Sequence, residues 1–262
     1  MNKKPGNKKR YLSSTPAVEQ AAEIMKYLAS GAKVKAGLTD ISRMLGIPKT
    51  KVYSILNALQ MAGFVSKNDE NKVYSLGADI IPIGQRALEN MDYRDVARPF
   101  LEELAKETRC TVLFGLVTSG KLVIVSKQTS GQEVDSRLQV GSVFDIFYQA
   151  HGKAILASLP QEEQRRLLSG DDFLSQDIRG MIHNSQLSQE IKEIKKTGFA
   201  VNNGKVSPLI KVLSAAVKGP KNYPMGALIV IGLMEKAAIS KYGAKLVATA
   251  KDLSLALGAS SP

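Results

Sequence analysis

The side chains best suited to chemistry stand in and just after the stretch Leu38–Phe64. Thr50, Ser54 and Asn57 recur at i, i+4 and i+7, which places two hydroxyls and an amide on one face of a helix. Groups of these kinds hydrogen-bond to base edges, and an Asn amide suits a bidentate contact with adenine. Lys49 and Lys51 stand beside them, Tyr53 flanks the face, and Lys67 and Lys72 lie further along the chain. Their ammonium groups are of the kind that neutralise phosphates. Thr39 stands one helix earlier. The chemistry implied is recognition of a polyanion, with no bond made or broken.

The elements that hold these residues can be read from the same stretch. Thr39 is expected to cap a short helix whose inner face is Ile41, Met44 and Leu45. Gly46 supplies a turn residue that takes positive φ without a Cβ penalty. Pro48 suits the first turn of a second helix, where a missing N–H costs nothing. That helix buries Val52, Ile55, Leu56 and Leu59, at i, i+3, i+4 and i+7. The spacing is that of a helix-turn-helix, whose second helix lies in the DNA major groove. A core αα-hairpin shares the pattern, and the next segment of the chain favours the helix-turn-helix. Val65–Leu76 reads as two short β-prone runs around an Asn/Asp turn, a hairpin in the position of a wing with Lys67 and Lys72 at its tip. Ahead of the helix-turn-helix, Ser14 or Thr15 caps a helix with Val18, Ala21, Ala22, Met25 and Leu28 on one face, then a basic loop spans Gly31–Gly37. Met1–Ser14 reads as a flexible basic arm.

Composition limits the alternatives. The 262 residues carry a net charge of +12 at pH 7. Residues 1–80 hold 13 Lys/Arg against 6 Asp/Glu, and the remainder 23 against 18, so the positive excess per residue is about three times as dense in the first third. That asymmetry favours a polyanionic partner there. A single cysteine, Cys110, with only His151 and His183, allows neither a disulfide nor a zinc-type ligand set. No cofactor is expected. No uncharged run of about 18 residues is present, so no membrane span is expected and a cytoplasmic protein is the simplest reading. There is no Gly-rich phosphate loop and no nucleophile elbow, which argues against an enzyme. His151 before Gly152-Lys153 reads as a pocket-lining or cap residue, with anion binding at a helix amino terminus as the alternative.

Beyond the wing, residues 78–92 read as a linker helix interrupted near Pro82, with Ile80, Ile83, Ala87 and Met91 as an apolar stripe that could pair with a second copy or pack on its own domain. A further helix starts at Asp92 or Asp95 on Val96, Phe100, Leu101, Leu104 and Ala105. From Thr111 the period becomes two. Strands are expected at 111–117, 122–128, 137–140, 199–202, 209–217 and 227–233. Helices are expected at 152–159, 161–168, 187–197 and 237–257. Strands bracketed by helices in this way predict an α+β fold with a central antiparallel sheet.

These motifs resemble the isocitrate-lyase-regulator (IclR) family of bacterial transcriptional regulators over nearly the whole chain. Three stretches carry the resemblance: Ala17–Leu76, the segment Ala150-His151-Gly152-Lys153-Ala154 through Leu159-Pro160, and Gly198-Phe199-Ala200 onward to Gly226–Gly232. The resemblance implies a basic flexible arm (1–14), a winged helix-turn-helix DNA-binding domain (15–77), a linker helix (78–92) and a GAF/PAS-like effector-binding and oligomerisation domain (93–262). It implies a homodimer or homotetramer on double-stranded DNA bearing an inverted-repeat operator, and a small organic acid as effector. The departures shape the expectation. Ser54 stands where the family usually has Arg, and Lys51 where it has Thr. In the effector domain Asn202 replaces the usual Asp, Lys205 the usual Glu, Val212 the usual Cys, Ala216 the usual Pro, and Ile229 and Ile231 the strand serines. With Ala150 and His151 at the helical rim, such a pocket suits an aromatic or larger apolar acid, not a two- or three-carbon oxyacid. The alternative is a regulator whose carboxy domain serves only oligomerisation or protein interaction, with no ligand.

Overall fold

A computed structural model describes residues 15–29, 35–89, 92–131, 138–146, 149–169, 185–202 and 210–260. The expectations for the arm (1–14), for Arg137, His183 and Lys205 lie outside the described residues. The chain forms two compact units, Met1–Ala87 and Leu88–Pro262.

The first unit contains α1 (Pro16–Ala29), β1 (Ala36–Gly37), α2 (Leu38–Leu45), α3 (Lys49–Met61), β2 (Val65–Asn68) and β3 (Val73–Leu76). Its core joins Ile24 and Leu28 of α1, Ile41 of α2, and Val52, Ile55, Leu56 and Leu59 of α3 to Val65 and Tyr74 of the hairpin. The reading of α3 matches its burial, since all four expected residues are inside. Two neighbouring helices differ in detail. Val18 is exposed, and Ile24, absent from the expected stripe, is fully buried in α1. Met44 is 62% exposed, so α2 buries Ile41 and half-buries Leu45 while Met44 faces out. The α2 cap also differs: Gly37 holds the cap position with no side-chain hydrogen bond, and Thr39 lies inside the helix. The reason is tertiary. Ala36 and Gly37, expected as loop, pair with Tyr74 and Val73 as a third strand, giving the sheet order β1-β3-β2 and fixing where α2 begins.

The helix α4 (Ile80–Glu89) includes the division between the units and, contrary to expectation, is not interrupted at Pro82, because Pro82 falls in its first turn, where no intrahelical N–H is lost. The second unit starts with α5 (Asp92–Thr108) and builds a six-stranded antiparallel sheet. Its strands are β4 (Thr111–Thr118), β5 (Lys121–Thr129), β6 (Val143–Asp145), β7 (Ala200–Asn202), β8 (Ile210–Lys218) and β9 (Pro224–Leu233), in the order β6-β5-β4-β9-β8-β7. The strand expected at 137–140 is displaced: Leu138 and Gln139 are irregular, Val140 sits in a turn, and the strand is β6.

One sheet face, including Phe114, Leu213, Leu228 and Val230, packs with Leu101 and Leu104 of α5 and with Leu246 and Leu253 of α9 (Ala238–Ala256). The other face carries Leu113, Leu122, Ile124, Ala227 and Ile229, which pack with Ile155 of α6 (Gln149–Ser158). Outside α6, Leu187, Ile191 and Ile194 of α8 (Ser185–Thr197) close a third cluster with Ala150, Ala154 and Leu156. A short helix α7 (Gln161–Ser169) lies between α6 and α8 in sequence. The sheet thus has helices on both faces, and the face under α6 holds the residues expected at an effector site.

Candidate nucleic-acid interface and small-molecule site

The turn between α2 and α3 is built from two local devices. Gly46 adopts φ 66°, a left-handed conformation that lets α2 end within one residue. The Ser42 hydroxyl donates to the Ile47 carbonyl at 2.7 Å, tying the helix to the turn. Pro48 precedes α3, and its carbonyl accepts the N–H groups of Lys51 and Val52. Burial of Val52, Ile55, Leu56 and Leu59 fixes the rotation of α3, so the opposite stripe is Thr50, Ser54, Asn57 and Met61. Thr50 and Ser54 are exposed, Asn57 is half-buried, and Tyr53 and Met61 are 52% and 91% exposed. The exposed Ser54 hydroxyl donates to the Thr50 carbonyl at 3.1 Å, which leaves it an acceptor for other groups.

Charge on α3 is one-sided. The helix has no Asp or Glu, and exposed Lys49 and Lys51 occupy its first turn. Cations at a helix amino terminus oppose the macrodipole and cost local stability. The same end concentrates unpaired N–H groups, which favour an anion. Lysines there therefore suit a phosphate ligand better than they suit the helix.

The wing is a β2–β3 hairpin in which Asn68 faces Val73, and the Asn68 amide oxygen accepts the N–H groups of Glu70 and Asn71. Lys72 sits at φ 55° and is exposed. Lys67 is half-buried and lies 3.7 Å from the Asp69 carboxylate. With Asp69 and Glu70 between the two lysines, the tip has no net charge, so Lys72 is the wing cation more available to a phosphate. Thr39 is exposed on α2.

In the second unit the register brings the expected effector residues into rows. Asn202, Val212, Ile231 and Thr111 are successive partners across β7, β8, β9 and β4. Ile229 lies in the next row, between Ser214 and Leu113. Ile229 is 5% exposed within the cluster that includes Ile124 and Ile155, so it belongs to packed core. The Asn202 amide donates to Gln149 Oε1 at 3.3 Å, linking the row to the start of α6. Sequence reasoning does not single out Gln149, Thr111 or Ser214. Thr111 begins a strand whose first six residues are all buried, and its hydroxyl lies 3.3 Å from that of Thr129, so nothing local distinguishes it from the core.

Ala150 and His151 are buried in the first turn of α6, which begins three residues earlier than expected. His151 Nε2 lies 3.2 Å from the Asp145 carbonyl, which assigns the proton to Nε2 and leaves Nδ1 as acceptor. Its ring is tilted against Phe144 with centroids 5.5 Å apart. Burial lowers its pKa from 6.5 to about 4, outweighing the Asp145 carbonyl and carboxylate, which raise it. At neutral pH His151 is therefore an uncharged hydrogen-bonding group, unable to hold a carboxylate as a cation.

This arrangement has a consequence for stability. Between pH 6.5 and about 4 the unfolded chain binds a proton that the folded chain refuses. Stability from this group is complete above pH 6.5 and is lost as pH falls toward 4, by about 3 kcal/mol in all. A His151→Gln variant keeps an amide donor for Asp145 but does not titrate. Urea unfolding of both proteins across this range is expected to show the wild type losing more stability on acidification; parallel curves would contradict the assignment.

Among the described residues no group of three or more His, Cys, Asp or Glu could hold a metal ion, and no helix is long and apolar enough to cross a membrane. Cys110 is buried, and burial raises its pKa.

Comparison with known proteins supplies the wider setting. Residues 17–69 match the family model described as IclR helix-turn-helix domain, and residues 85–255 match Bacterial transcriptional regulator IclR C-terminal. The chain is 28% identical over 253 residues to the uncharacterized HTH-type transcriptional regulator RhmR of Escherichia coli (strain K12), covering 95% of this chain and 96% of that one. It superposes on the crystal structure of an IclR family transcriptional regulator from Brucella abortus with a TM-score of 0.79 at 18% identity, covering 97% of each chain. The structure of an IclR homolog from Microbacterium hydrocarbonoxydans, complexed with 4-hydroxybenzoate, gives a TM-score of 0.66 at 13% identity, covering 92% of this chain and 98% of that one.

Proposed function

The chain belongs to the IclR family of DNA-binding bacterial transcriptional regulators, and from that premise we propose which residues read DNA and what class of molecule controls it. Thr50, Ser54 and Asn57 of α3 read base edges in the major groove, with Tyr53 at the margin. Lys49, Lys51, Lys72 and, once freed from Asp69, Lys67 hold phosphates, and Thr39 adds a backbone contact from α2. The observation that carries this reading is the outward run Thr50, Ser54 and Asn57 of α3, on a helix free of acids and opposite a buried apolar stripe. One recognition helix covers few base pairs, so the operator is an inverted repeat read by an assembly of even number. Sedimentation of the DNA complex tests this: two or four chains per operator are expected, and one chain per site would refute it.

The carboxy unit takes an aromatic or apolar organic acid over Val212, Ile231 and the neighbouring Ile229. Supporting this reading, the row at Val212 and Ile231 is apolar, with Asn202 and Thr111 as polar partners beside it. The 4-hydroxybenzoate held by the Microbacterium neighbour is of the same chemical class. Because His151 is neutral, its role is to accept from a hydroxyl through Nδ1, so the carboxylate is held elsewhere; Lys205, which stands where the family usually has Glu, is the cation the sequence offers for it. Titration calorimetry is expected to give saturable binding of 4-hydroxybenzoate, weaker binding of benzoate, and loss of both in Ile231→Asp. Tight binding of glyoxylate or pyruvate would overturn this reading. The close packing of Ala150 and Ile229 favours a second reading, in which this core takes no ligand and the carboxy unit serves assembly alone. Absence of heat with every acid, together with intact oligomers, would favour that one.

A further inference from the structure

A cleft of about 400 Å³ lies at the far end of β8, bounded by the last turn of α6, the end of α8 and the last turns of α9. Its size falls within the usual range for small-molecule sites. Val212 and Ile231 are not among its lining residues: the cleft runs along β8 from Ala215 to Lys218, beginning roughly 10 Å and ending roughly 20 Å beyond Val212 at the rise of a strand.

The walls are apolar and aliphatic. Ala154, Ala157, Ala216, Ile194 and Val247 line them, and no aromatic side chain does. Two of the three hydroxyls in the lining, those of Ser158 and Ser254, are already committed, and the third, of Ser260, is exposed at the rim. Ser158 donates to the Ile155 carbonyl at 2.7 Å. Ser254 donates to the Ala250 carbonyl at 2.5 Å and accepts the Lys218 N–H at 2.9 Å. The remaining charged groups of the lining are three lysines, Lys195, Lys218 and Lys251, with no Asp or Glu among the lining residues. Lys195 donates one proton to Gln164 Oε1 at 2.9 Å and has two more. Among the described residues neither Lys218 nor Lys251 is held in an ion pair.

We propose that this cleft is a second small-molecule site of the carboxy unit, one that takes an unbranched aliphatic carboxylate. The chain lies along the alanine-lined wall, and the carboxylate is held by Lys218 and Lys251, with Lys195 alongside. An aliphatic body fits because there is no ring to stack on, and an anionic head fits because every charge in the lining is positive. A neutral or cationic amphiphile would leave the lysines unpaired or repelled.

The test is titration calorimetry on the full-length chain with hexanoate, octanoate and decanoate, below micelle-forming concentrations. One molecule bound per chain is expected, with affinity rising about fourfold per added methylene. Decyltrimethylammonium is expected not to compete. Lys218→Gln/Lys251→Gln is expected to weaken decanoate binding at least tenfold, with circular dichroism and thermal midpoint unchanged. Ile231→Asp is expected to leave decanoate affinity as it was, which separates this site from the proposed effector row. The proposal is overturned by an absence of saturable binding, by equal binding of decyltrimethylammonium, by unchanged affinity in the double lysine variant, or by loss of binding in Ile231→Asp.

Discussion

Lys49→Ala/Lys51→Ala is expected to bind every DNA duplex more weakly than the wild type, operator and random sequence alike. Both ammonium groups are exposed in the first turn of α3, with no acid on that helix to neutralise them. Each phosphate contact contributes about 0.9 to the slope of log affinity against log salt. Removing two should flatten that slope by roughly two units. The loss is then largest at low salt and shrinks as salt rises. Because the lysines sit at the positive end of the helix dipole, the variant should also be no less stable than the wild type. A steep salt dependence that survives both substitutions would show that the phosphates are met elsewhere.

Leu56→Ala is expected to abolish DNA binding by a different route. Leu56 is fully buried at the centre of the first unit, among Ile24, Ile41 and Val65. Truncating a buried leucine costs about 2–5 kcal/mol. The elements of that unit, α1 to β3, span only residues 16–76, and a core of that size rarely holds more than about 3–5 kcal/mol. The substitution should therefore unfold most of the first unit at 37 °C and leave the sheet of the second unit intact. Circular dichroism should lose helix, and hydrogen exchange should show lost protection confined to residues 16–76. The control is Met61→Ala, whose side chain is 91% exposed and whose loss should leave stability unchanged. Undiminished DNA binding by Leu56→Ala at 37 °C would mean that the first unit is far more stable than its size allows.

How far these sites are legible depends on whether the signal is local. The face of α3 is legible because four apolar residues at helical spacing fix its rotation, and the polar stripe is then set by geometry. The β4–β5 hairpin is legible because Ser119 and Gly120, both at positive φ, form a tight turn between two β-prone apolar runs. The features that escape are set by partners distant in sequence. Ala36–Gly37 is a strand only because β3 lies beside it, and two residues carry no periodicity of their own. That pairing also moves the start of α2 away from Thr39. Val143–Asp145 and the run before Gly141 are equally β-prone, and pairing with Lys121–Val123 decides between them. Val18 and Met44 fit an inner face on pattern because an amphipathic helix offers two overlapping apolar stripes, and only the neighbouring helices choose one. The neutrality of His151 is invisible in sequence because it depends on burial under the sheet and on the Asp145 carbonyl.

The central claim is that α3 reads base sequence through Thr50, Ser54 and Asn57, and selection of bound duplexes from a random pool tests it most directly. Wild type, Asn57→Ala and Lys72→Ala are compared at one salt concentration. The wild type should enrich an inverted repeat. Lys72→Ala should enrich the same repeat with lower overall affinity. Asn57→Ala should lose discrimination at one base pair per half-site, by about 1–3 kcal/mol, with the other positions unchanged. Enrichment of the same sequence to the same degree by Asn57→Ala, and likewise by Ser54→Ala and Thr50→Ala, would contradict the claim that this face reads DNA.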